Sequence, residues 1–253
     1  MTITYDSLPG TYWQEPHGFG QLGPAPLVYR VHLPASQAVA AQAPHLLLPS
    51  ELQRAERYLR AADRQRFLVA RAVLRLVLGG YTSRAPSQVR FAAGPNQKPL
   101  LPDSPHLHFS VSHSQDWILL ALHHRELGVD VEEMAPGLDF LDALRDNFRP
   151  AEAEHIWQSP DSRRLFFRSW TRKEAYVKAT AAGIDEQFAS LPSLDGRYQL
   201  PGAAGPAWRV SSFDVAADYC AALAFQPDAA APPAFINLSA SYLEQQLLPA
   251  VLM

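Results

Sequence analysis

The chain has 253 residues and a mass of 28.0 kDa, enough for one large domain or two small ones. Hydrophobic residues make up 47% of it and charged residues 19%, which is ordinary for a globular protein. The formal net charge is −3, whereas a general nucleic-acid binder is usually basic, so we expect no nucleic-acid partner. The N-terminal residues lack a secretory pattern and every apolar run is too short to span a bilayer, so we expect the cytoplasm and no membrane contact.

The N-terminal part of the chain predicts one strand followed by two helices. Residues 1–48 are rich in Pro, Gly and Ala and contain one strand candidate, 27–33. Ser50 is a residue type favoured at helix N-caps. We expect two helices after it, separated near 61–63. The second is expected over 64–78, because apolar residues recur at helical spacing, and Gly79-Gly80 is expected to end it.

Strands, helices and strands then follow in that order. Apolar runs predict strands at 89–92, 107–112, 117–122, 127–132, 208–215 and 219–225. Helices are expected over 138–148, after Pro150, over 162–182 and over 238–248, with a Pro-rich linker at 226–233. This order predicts an α+β fold of two similar halves, 1–125 and 126–228, with a C-terminal tail at 229–253.

The segment Gly128-Val129-Asp130-Val131-Glu132-Glu133 places two carboxylates on one strand face. Alternate residues of a strand share a face, so Asp130 and Glu132 point the same way while Val129 and Val131 face the core. Adjacent carboxylates repel each other unless a cation lies between them, and oxygen ligands suit Mg²⁺. A solvated strand end is the alternative.

The segment Trp170 to Lys178 carries charge on an otherwise apolar helix face. Lys173, Glu174 and Lys178 fall at helical spacing with Trp170 and Val177. An exposed Glu174–Lys178 pair is the alternative explanation.

Two further segments have less specific composition. His108 to Ser114 ends an apolar strand in hydroxyls and a histidine, which can bind phosphate but also suit a polar turn. Gly94 to Pro99 contains Lys98 among turn residues. The chain has 22 Lys and Arg residues, of which only Lys98, Lys173 and Lys178 are lysines, and each lies in one of these segments. A lysine is a compact point charge that arginine does not replace at a tight phosphate site.

The single cysteine cannot form an internal disulfide. Cys220 lies in the apolar run 219–225, which predicts a buried, inert thiol.

Together and in this order, the four segments resemble the signature of 4′-phosphopantetheinyl transferases. The two-part signature is Gly128-Val129-Asp130-Val131-Glu132 followed by Trp170-x-x-Lys173-Glu174-Ala175-x-x-Lys178, and 97–99 and 109–114 resemble the upstream motifs of the larger, surfactin-synthetase-activating (Sfp) type. The resemblance covers about residues 50–225. It departs from the family at Gln97, where glycine is frequent.

The resemblance implies a cleft between two α+β halves that binds coenzyme A. Asp130, Glu132 and Glu174 would hold Mg²⁺ or Mn²⁺, and Lys178 would contact the pyrophosphate. The adenosine 3′-phosphate would lie among Lys98, Ser112 and His113 on the N-terminal side. Looser candidates for coenzyme A contacts are Lys173, Arg54, Arg66 and Arg71.

The resemblance also implies the reaction. A serine of an apo acyl or peptidyl carrier protein would attack the β-phosphate of coenzyme A, and adenosine 3′,5′-bisphosphate would leave. Glu174 or Glu132 could accept the serine proton, and the sequence leaves this choice open. The chain is expected to act as a monomer in fatty acid, polyketide or nonribosomal peptide synthesis. A magnesium phosphohydrolase and a carrier-binding module without activity are the alternatives.

Overall fold

The computed structural model describes residues 1–185, 187–200, 205–227 and 231–252. Within these ranges, two five-stranded sheets are flanked by helices, which confirms the expected mixture of helices and sheets. The helices are α1 (Gln37–Leu46), α2 (Pro49–Glu56), α3 (Ala61–Thr82), α4 (Leu141–Asn147), α5 (Pro150–Trp157), α6 (Ser162–Thr180) and α7 (Ala240–Leu252). None of them is long and apolar enough to cross a membrane.

The strands form one sheet for each half of the chain and a small hairpin. The strands are β1 (Thr2–Ser7), β2 (Trp13–Gln14), β3 (Leu27–His32), β4 (Ala92–Ala93), β5 (Pro99–Leu100), β6 (His108–Ser114), β7 (Trp117–His123), β8 (Leu127–Glu133), β9 (Gly196–Gln199), β10 (Trp208–Ala216), β11 (Tyr219–Phe225) and β12 (Ala234–Asn237). The first sheet has the order β2-β12-β3-β7-β6 and the second β8-β11-β10-β1-β9, while β4 pairs with β5.

Side-chain alternation divides the apolar residues between two faces of each sheet. In β7, Ile118, Leu120 and Leu122 pack with α1, α3 and α7, whereas Leu119 and Ala121 face the second sheet. Successive strand residues point to opposite faces, so one strand contributes to two cores. On the far side of the second sheet, β1, β10 and β11 pack against α6. The order of layers is therefore helices, first sheet, second sheet, α6.

The two ends of the chain exchange sheets. Strand β1 pairs with β10 in the second sheet, whereas β12 pairs with β3 in the first and α7 packs on α1. Arg30 of β3 donates to Asn237 Oδ1 of the exchanged strand β12 at 3.0 Å and to the Val215 carbonyl of β10 in the second sheet at 2.6 Å. The expected division at residue 125 thus separates the sheets for the chain from β3 to β11 but not for its ends. Residues 228–230 of the predicted linker lie outside the described residues.

Three details of the N-terminal half differ from the sequence-based expectation. Residues 1–48 contain β1 and α1, which the Pro, Gly and Ala content concealed. Helix α2 begins at Pro49, and Glu51, rather than Ser50, caps it by accepting the Leu48 N–H at 2.8 Å. Helix α3 passes through Gly79-Gly80 and ends at Thr82, before left-handed Ser83. A Cβ on Gly80 would lie 2.4 Å from Phe19 Cβ, so this glycine permits close packing instead of ending the helix.

The strand expected at 89–92 is replaced by a turn at Pro86–Gln88 and the short strand β4. The buried guanidinium of Arg75 donates to the carbonyls of Pro86 and Val89 at 2.7 and 2.9 Å. These carbonyls are therefore satisfied by a side chain and not by a neighbouring strand.

Gly128 is the point where the second sheet touches α6. A Cβ at this position would lie 2.1 Å from the Ala175 carbonyl oxygen and 2.4 Å from the Ala179 nitrogen. The helix backbone therefore rests directly on β8. This contact places Glu174 and Lys178, which flank Ala175 and Ala179 in sequence, beside the carboxylates of β8.

We predict that Gly128→Ala destabilises the fold by about 3 kcal/mol, because the added methyl group must push two backbones apart. Urea unfolding would measure the change. Gly23→Ala is the control, since a Cβ on Gly23 meets no atom within 4 Å, and it should stay within about 0.5 kcal/mol of the wild type. Equal stabilities for the two variants would show that α6 does not need the glycine.

Candidate active site

The two charged segments meet where β8 passes under α6. Asp130 is only 2% exposed, and Glu132 lies on the same face of β8, since Val129 and Val131 are buried between the two sheets. Lys178 Nζ of α6 lies 2.6 Å from Asp130 Oδ1. The structure therefore brings together residues about fifty positions apart, and Lys178 is bonded to Asp130 rather than forming a surface pair with Glu174.

Burial and mutual repulsion perturb the carboxylates of this cluster. Burial, followed by the charge of Asp130, raises the pKa of Glu132 to about 7. The same two causes raise the pKa of Glu174. Burial opposes the charged form of Lys178, but the charges of Asp130, Glu174 and Glu132 outweigh it and raise the pKa of this amine. Three acidic groups and one ammonium leave the cluster with excess negative charge once all are ionised.

The donor set of the cluster suits a hard divalent cation. Asp130 Oδ2 is buried without a hydrogen-bond partner, although Oδ1 of the same group has two. Among the described residues, no three His, Cys, Asp or Glu side chains are already gathered around one metal position. The acidic groups are nevertheless close enough to shift each other's pKa, and a buried carboxylate oxygen that lacks a partner is a suitable ligand for Mg²⁺.

Three serines of β6 fasten the edge of the first sheet to β8. The hydroxyls of Ser110, Ser112 and Ser114 accept the backbone N–H groups of Val129, Val131 and Glu133 at 3.1, 3.4 and 3.1 Å, respectively. We call Ser110, Ser112 and Ser114 the serine ladder. Each hydroxyl occupies the acceptor position that a neighbouring strand would normally supply at a sheet edge.

A cavity of about 240 Å³ adjoins the carboxylate cluster. Its lining includes Lys98 from the loop before β5, Pro99 from β5, Val111 from β6, and Glu174 and Lys178 from α6. Both halves of the chain contribute to it, as expected for the cleft. It is large enough for part of a ligand of coenzyme size.

The loop that carries Lys98 is bound to the C-terminal end of α6. Asn96, in a left-handed conformation, donates to the carbonyls of Ala181 and Ala182 at 2.8 and 2.7 Å. Lys98 Nζ lies 2.5 Å from Glu126 Oε2 and 2.8 Å from the Ala179 carbonyl. These donors satisfy carbonyls that a helix end leaves unpaired. Lys98 therefore lines the cavity while also joining the halves.

His113 and Ser112 occupy different positions relative to the cluster. Ser112 accepts a hydrogen bond from Lys178 Nζ at 3.1 Å and donates to Asp130 Oδ1 at 2.8 Å. Partial desolvation, followed by the positive charges of Arg66 and Lys178, lowers the pKa of His113. His113 therefore lies close enough to Arg66 and Lys178 to feel their charges, although Arg66 is paired with Asp63 and Lys178 with Asp130.

The looser arginine candidates differ in availability. Arg54 is exposed on α2, with its guanidinium 5.3 Å from the Phe67 ring, and it stays a candidate. Arg71 is bonded to Glu51 and lies over the Phe91 ring, so its charge is already used inside the N-terminal half.

Lys173 does not face the cleft. Its side chain is fully buried, and Nζ donates to the carbonyls of Asn147, Phe188 and Ala189 at 2.9, 3.3 and 3.1 Å. Glu152 of α5 lies 3.5 Å away and is its counter-charge. This arrangement gives Lys173 a structural role in place of the coenzyme contact that we expected from its position beside Glu174.

Several residues that support this site are not among the candidates predicted from the sequence. Ser114 shares the two-residue spacing of Ser110 and Ser112, and this alternation could have indicated one strand face. Asn96 and Glu152 act through distant contacts, for which the chain offers no local signal. Cys220 is buried as expected, and burial raises the pKa of its thiol to about 12.

Comparison with known proteins agrees with these motifs. The family described as 4′-phosphopantetheinyl transferase, N-terminal, matches residues 34–125, and the 4′-phosphopantetheinyl transferase superfamily matches residues 126–224. The 4′-phosphopantetheinyl transferase HetI of Nostoc sp. (strain PCC 7120 / SAG 25.82 / UTEX 2576) is 35% identical over 191 residues, which cover 72% of this chain and 79% of HetI. The chain belongs to the 4′-phosphopantetheinyl transferase superfamily.

A second relative extends the match over most of its own length. The 4′-phosphopantetheinyl transferase Sfp of Bacillus subtilis (strain 168) is 24% identical over 211 residues, covering 79% of this chain and 93% of Sfp. The family assignment made from the four sequence segments is therefore confirmed, and the protein is a transferase of this class.

We predict that Lys173→Met lowers the free energy of unfolding of the transferase by about 3–5 kcal/mol, because it leaves Glu152 as an uncompensated buried charge. The double variant Lys173→Met/Glu152→Gln should recover part of this loss. Chemical denaturation of both variants measures the effect. If Lys173→Met kept native stability but bound coenzyme A more weakly, Lys173 would contact the ligand, as expected from the sequence.

We predict that the metal-free transferase loses about 1–2 kcal/mol of stability as the pH rises from 5 to 7.5. The folded protein holds the Glu132 proton up to a pKa of about 7, whereas the unfolded chain releases it near 4.5, so deprotonation favours unfolding across this window. Unfolding of wild type and Glu132→Gln in a chelator at several pH values measures this contribution. If the free energy of unfolding changed with pH equally in both proteins, Glu132 would not be the source of the pH dependence.

Proposed function

We propose that this transferase moves the 4′-phosphopantetheine arm of coenzyme A to a serine of an apo acyl or peptidyl carrier protein, and that the reaction depends on Mg²⁺. The observation that carries this proposal is the convergence of Asp130, Glu132, Glu174 and Lys178 at the contact of β8 with α6, beside a cavity built from both halves. Membership of the superfamily supports the substrate and the group transferred.

Asp130, Glu132 and Glu174 are the residues that would hold the divalent cation. The unpartnered Oδ2 of Asp130 and the raised pKa values of Glu132 and Glu174 support this assignment. When bound, Mg²⁺ or Mn²⁺ supplies positive charge against the coenzyme A pyrophosphate and the reacting phosphate. Lys178 then shares its charge between Asp130 and the pyrophosphate.

The N-terminal side of the cleft would receive the adenosine 3′-phosphate. His113 and Arg66 contribute to it, and Arg54 is a further cation on α2. Lys98 lies in the cavity lining, where its bond to Glu126 would have to be shared with the ligand. In this proposal the adenosine lies on the N-terminal side and the metal on the C-terminal side of residue 125, where the ranges matched by the two families meet.

The transfer forms one bond and breaks another at the β-phosphorus of coenzyme A. The carrier serine oxygen forms the new bond to phosphorus, the bridging oxygen of the pyrophosphate leaves with adenosine 3′,5′-bisphosphate, and the serine proton passes to a carboxylate. Glu132 and Glu174 are both candidates for the base, because burial raises the pKa of each toward neutrality. The neighbouring cation Lys178 would stabilise the negative charge that develops on the leaving phosphate.

The direct test incubates the protein with coenzyme A, Mg²⁺ and an apo carrier, followed by mass spectrometry of the carrier. A gain of one phosphopantetheine group per carrier supports the proposal. Cleavage of coenzyme A without a gain of carrier mass would identify a phosphohydrolase, and binding without either change would identify an inactive carrier-binding module. A monomeric state and a cytoplasmic location remain predictions.

We predict that Glu174→Gln lowers the transfer rate at saturating Mg²⁺ by a factor on the order of 10² or more. The amide is a poorer metal ligand and cannot accept a proton, while glutamine is nearly isosteric and keeps the helix. Initial rates and melting temperatures of both proteins measure the effect.

Glu154→Gln is the matched control, since Glu154 is an exposed glutamate of α5 bonded to Gln158, and its rate should stay at the wild-type value. If Glu174→Gln were as active as Glu154→Gln, Glu174 would not belong to the reaction centre.

A further inference from the structure

The three hydroxyls of the serine ladder differ in the acceptors to which they donate. A hydroxyl has one proton to donate besides the lone pairs that accept the β8 backbone. Ser112 donates to Asp130 Oδ1 at 2.8 Å and Ser114 donates to Glu132 Oε2 at 3.0 Å. Within the described part of the chain, Ser110 bonds only to the Val129 N–H. Ser112 and Ser114 therefore each bind a carboxylate, whereas Ser110 only joins the two sheets.

We propose that Ser112 and Ser114 are positioning residues that fix Asp130 and Glu132 for binding of the divalent cation. This inference rests on the proposed function of the cluster. The serines belong to β6 in the first sheet and the carboxylates to β8 in the second, so the N-terminal half sets the cation affinity of the C-terminal half. Hydrogen-bonded partners of this kind orient ligating carboxylates, and their loss typically lowers metal affinity 10–100-fold.

Ser114 gives the cleaner of the two tests. Ser112 also accepts from Lys178 Nζ, so its loss would disturb the ammonium as well as Asp130. Ser114 contacts only Glu132 Oε2 and the Glu133 N–H in the hydrogen bonds described for it. Ser110 has the same backbone contact on the same strand face, at the same 3.1 Å, without the carboxylate. The hydrogen bonds removed by Ser114→Ala and by Ser110→Ala thus differ only in the bond to the carboxylate.

The experiment titrates Mn²⁺ into the full-length protein without coenzyme A or carrier and measures free Mn²⁺ by electron paramagnetic resonance. We expect Ser114→Ala to weaken Mn²⁺ binding about 10–100-fold and Ser110→Ala to change it less than about twofold, with similar shifts in melting temperature for both. Ser114→Thr retains the hydroxyl and should retain the affinity. In the transfer assay, excess Mg²⁺ should restore the rate of Ser114→Ala, because the defect lies in cation affinity.

Equal losses of Mn²⁺ affinity in Ser110→Ala and Ser114→Ala would overturn the proposal, since the ladder would then act only by joining the sheets. Wild-type affinity in Ser114→Ala would also overturn it. Asp130→Asn in the same titration distinguishes this failure from that of the proposed function. If Asp130→Asn binds Mn²⁺ as the wild type does, the cation assignment itself is wrong. If only Asp130→Asn is impaired, the cation site stands and the positioning role of Ser114 is wrong.

Discussion

The active site depends on the direct contact between the backbones of α6 and β8 at Gly128. Side chains normally separate a helix from the sheet on which it packs, but a residue without Cβ lets the helix backbone lie directly on the strand. At this short distance the ammonium of Lys178 on α6 bonds to the carboxylate of Asp130 on β8. The same close packing disfavours the ionised carboxylates of the cluster, because burial raises the pKa of Glu132 and Glu174. A bound cation would offset the repulsion that packing imposes.

The cleft is shared by both halves, so the halves must be fixed relative to each other. The serine ladder joins the sheets at one edge, and Asn96 and Lys98 bind the carbonyls at the end of α6. At the far side, β1 and β12 exchange sheets, and Arg30 of the first sheet bonds to the Val215 carbonyl of the second. The serine ladder and the loop of Asn96 and Lys98 use polar groups that would otherwise be unsatisfied at a sheet edge or helix end. The same contacts that complete secondary structure therefore also define the geometry of the cleft.

Local patterns in the sequence predicted the local structure, and long-range contacts account for the differences. Strand alternation correctly placed Asp130 and Glu132 on one face, and helical spacing correctly placed Glu174 and Lys178 together on α6. The role of Gly80 depends on Phe19, sixty positions away, and the carbonyl of Val89 is taken by Arg75. Neither contact leaves a local pattern of apolar spacing or turn residues that would reveal the partner. Strand β1 escaped prediction for the same reason, because its partner β10 lies some two hundred residues later.

The three lysines of this arginine-rich chain share one kind of surrounding. Lys173 Nζ lies among three carbonyls, Lys98 Nζ between Glu126 and the Ala179 carbonyl, and Lys178 Nζ between Asp130 and Ser112. An ammonium donates in three directions from one atom, so it fits where acceptors surround a point. A guanidinium is planar and wider, and its donors diverge from that point. The arrangement of acceptors inside the protein therefore explains why these positions are lysines. Lys178 can serve both these acceptors and the proposed phosphate, whereas Lys173 serves only the acceptors.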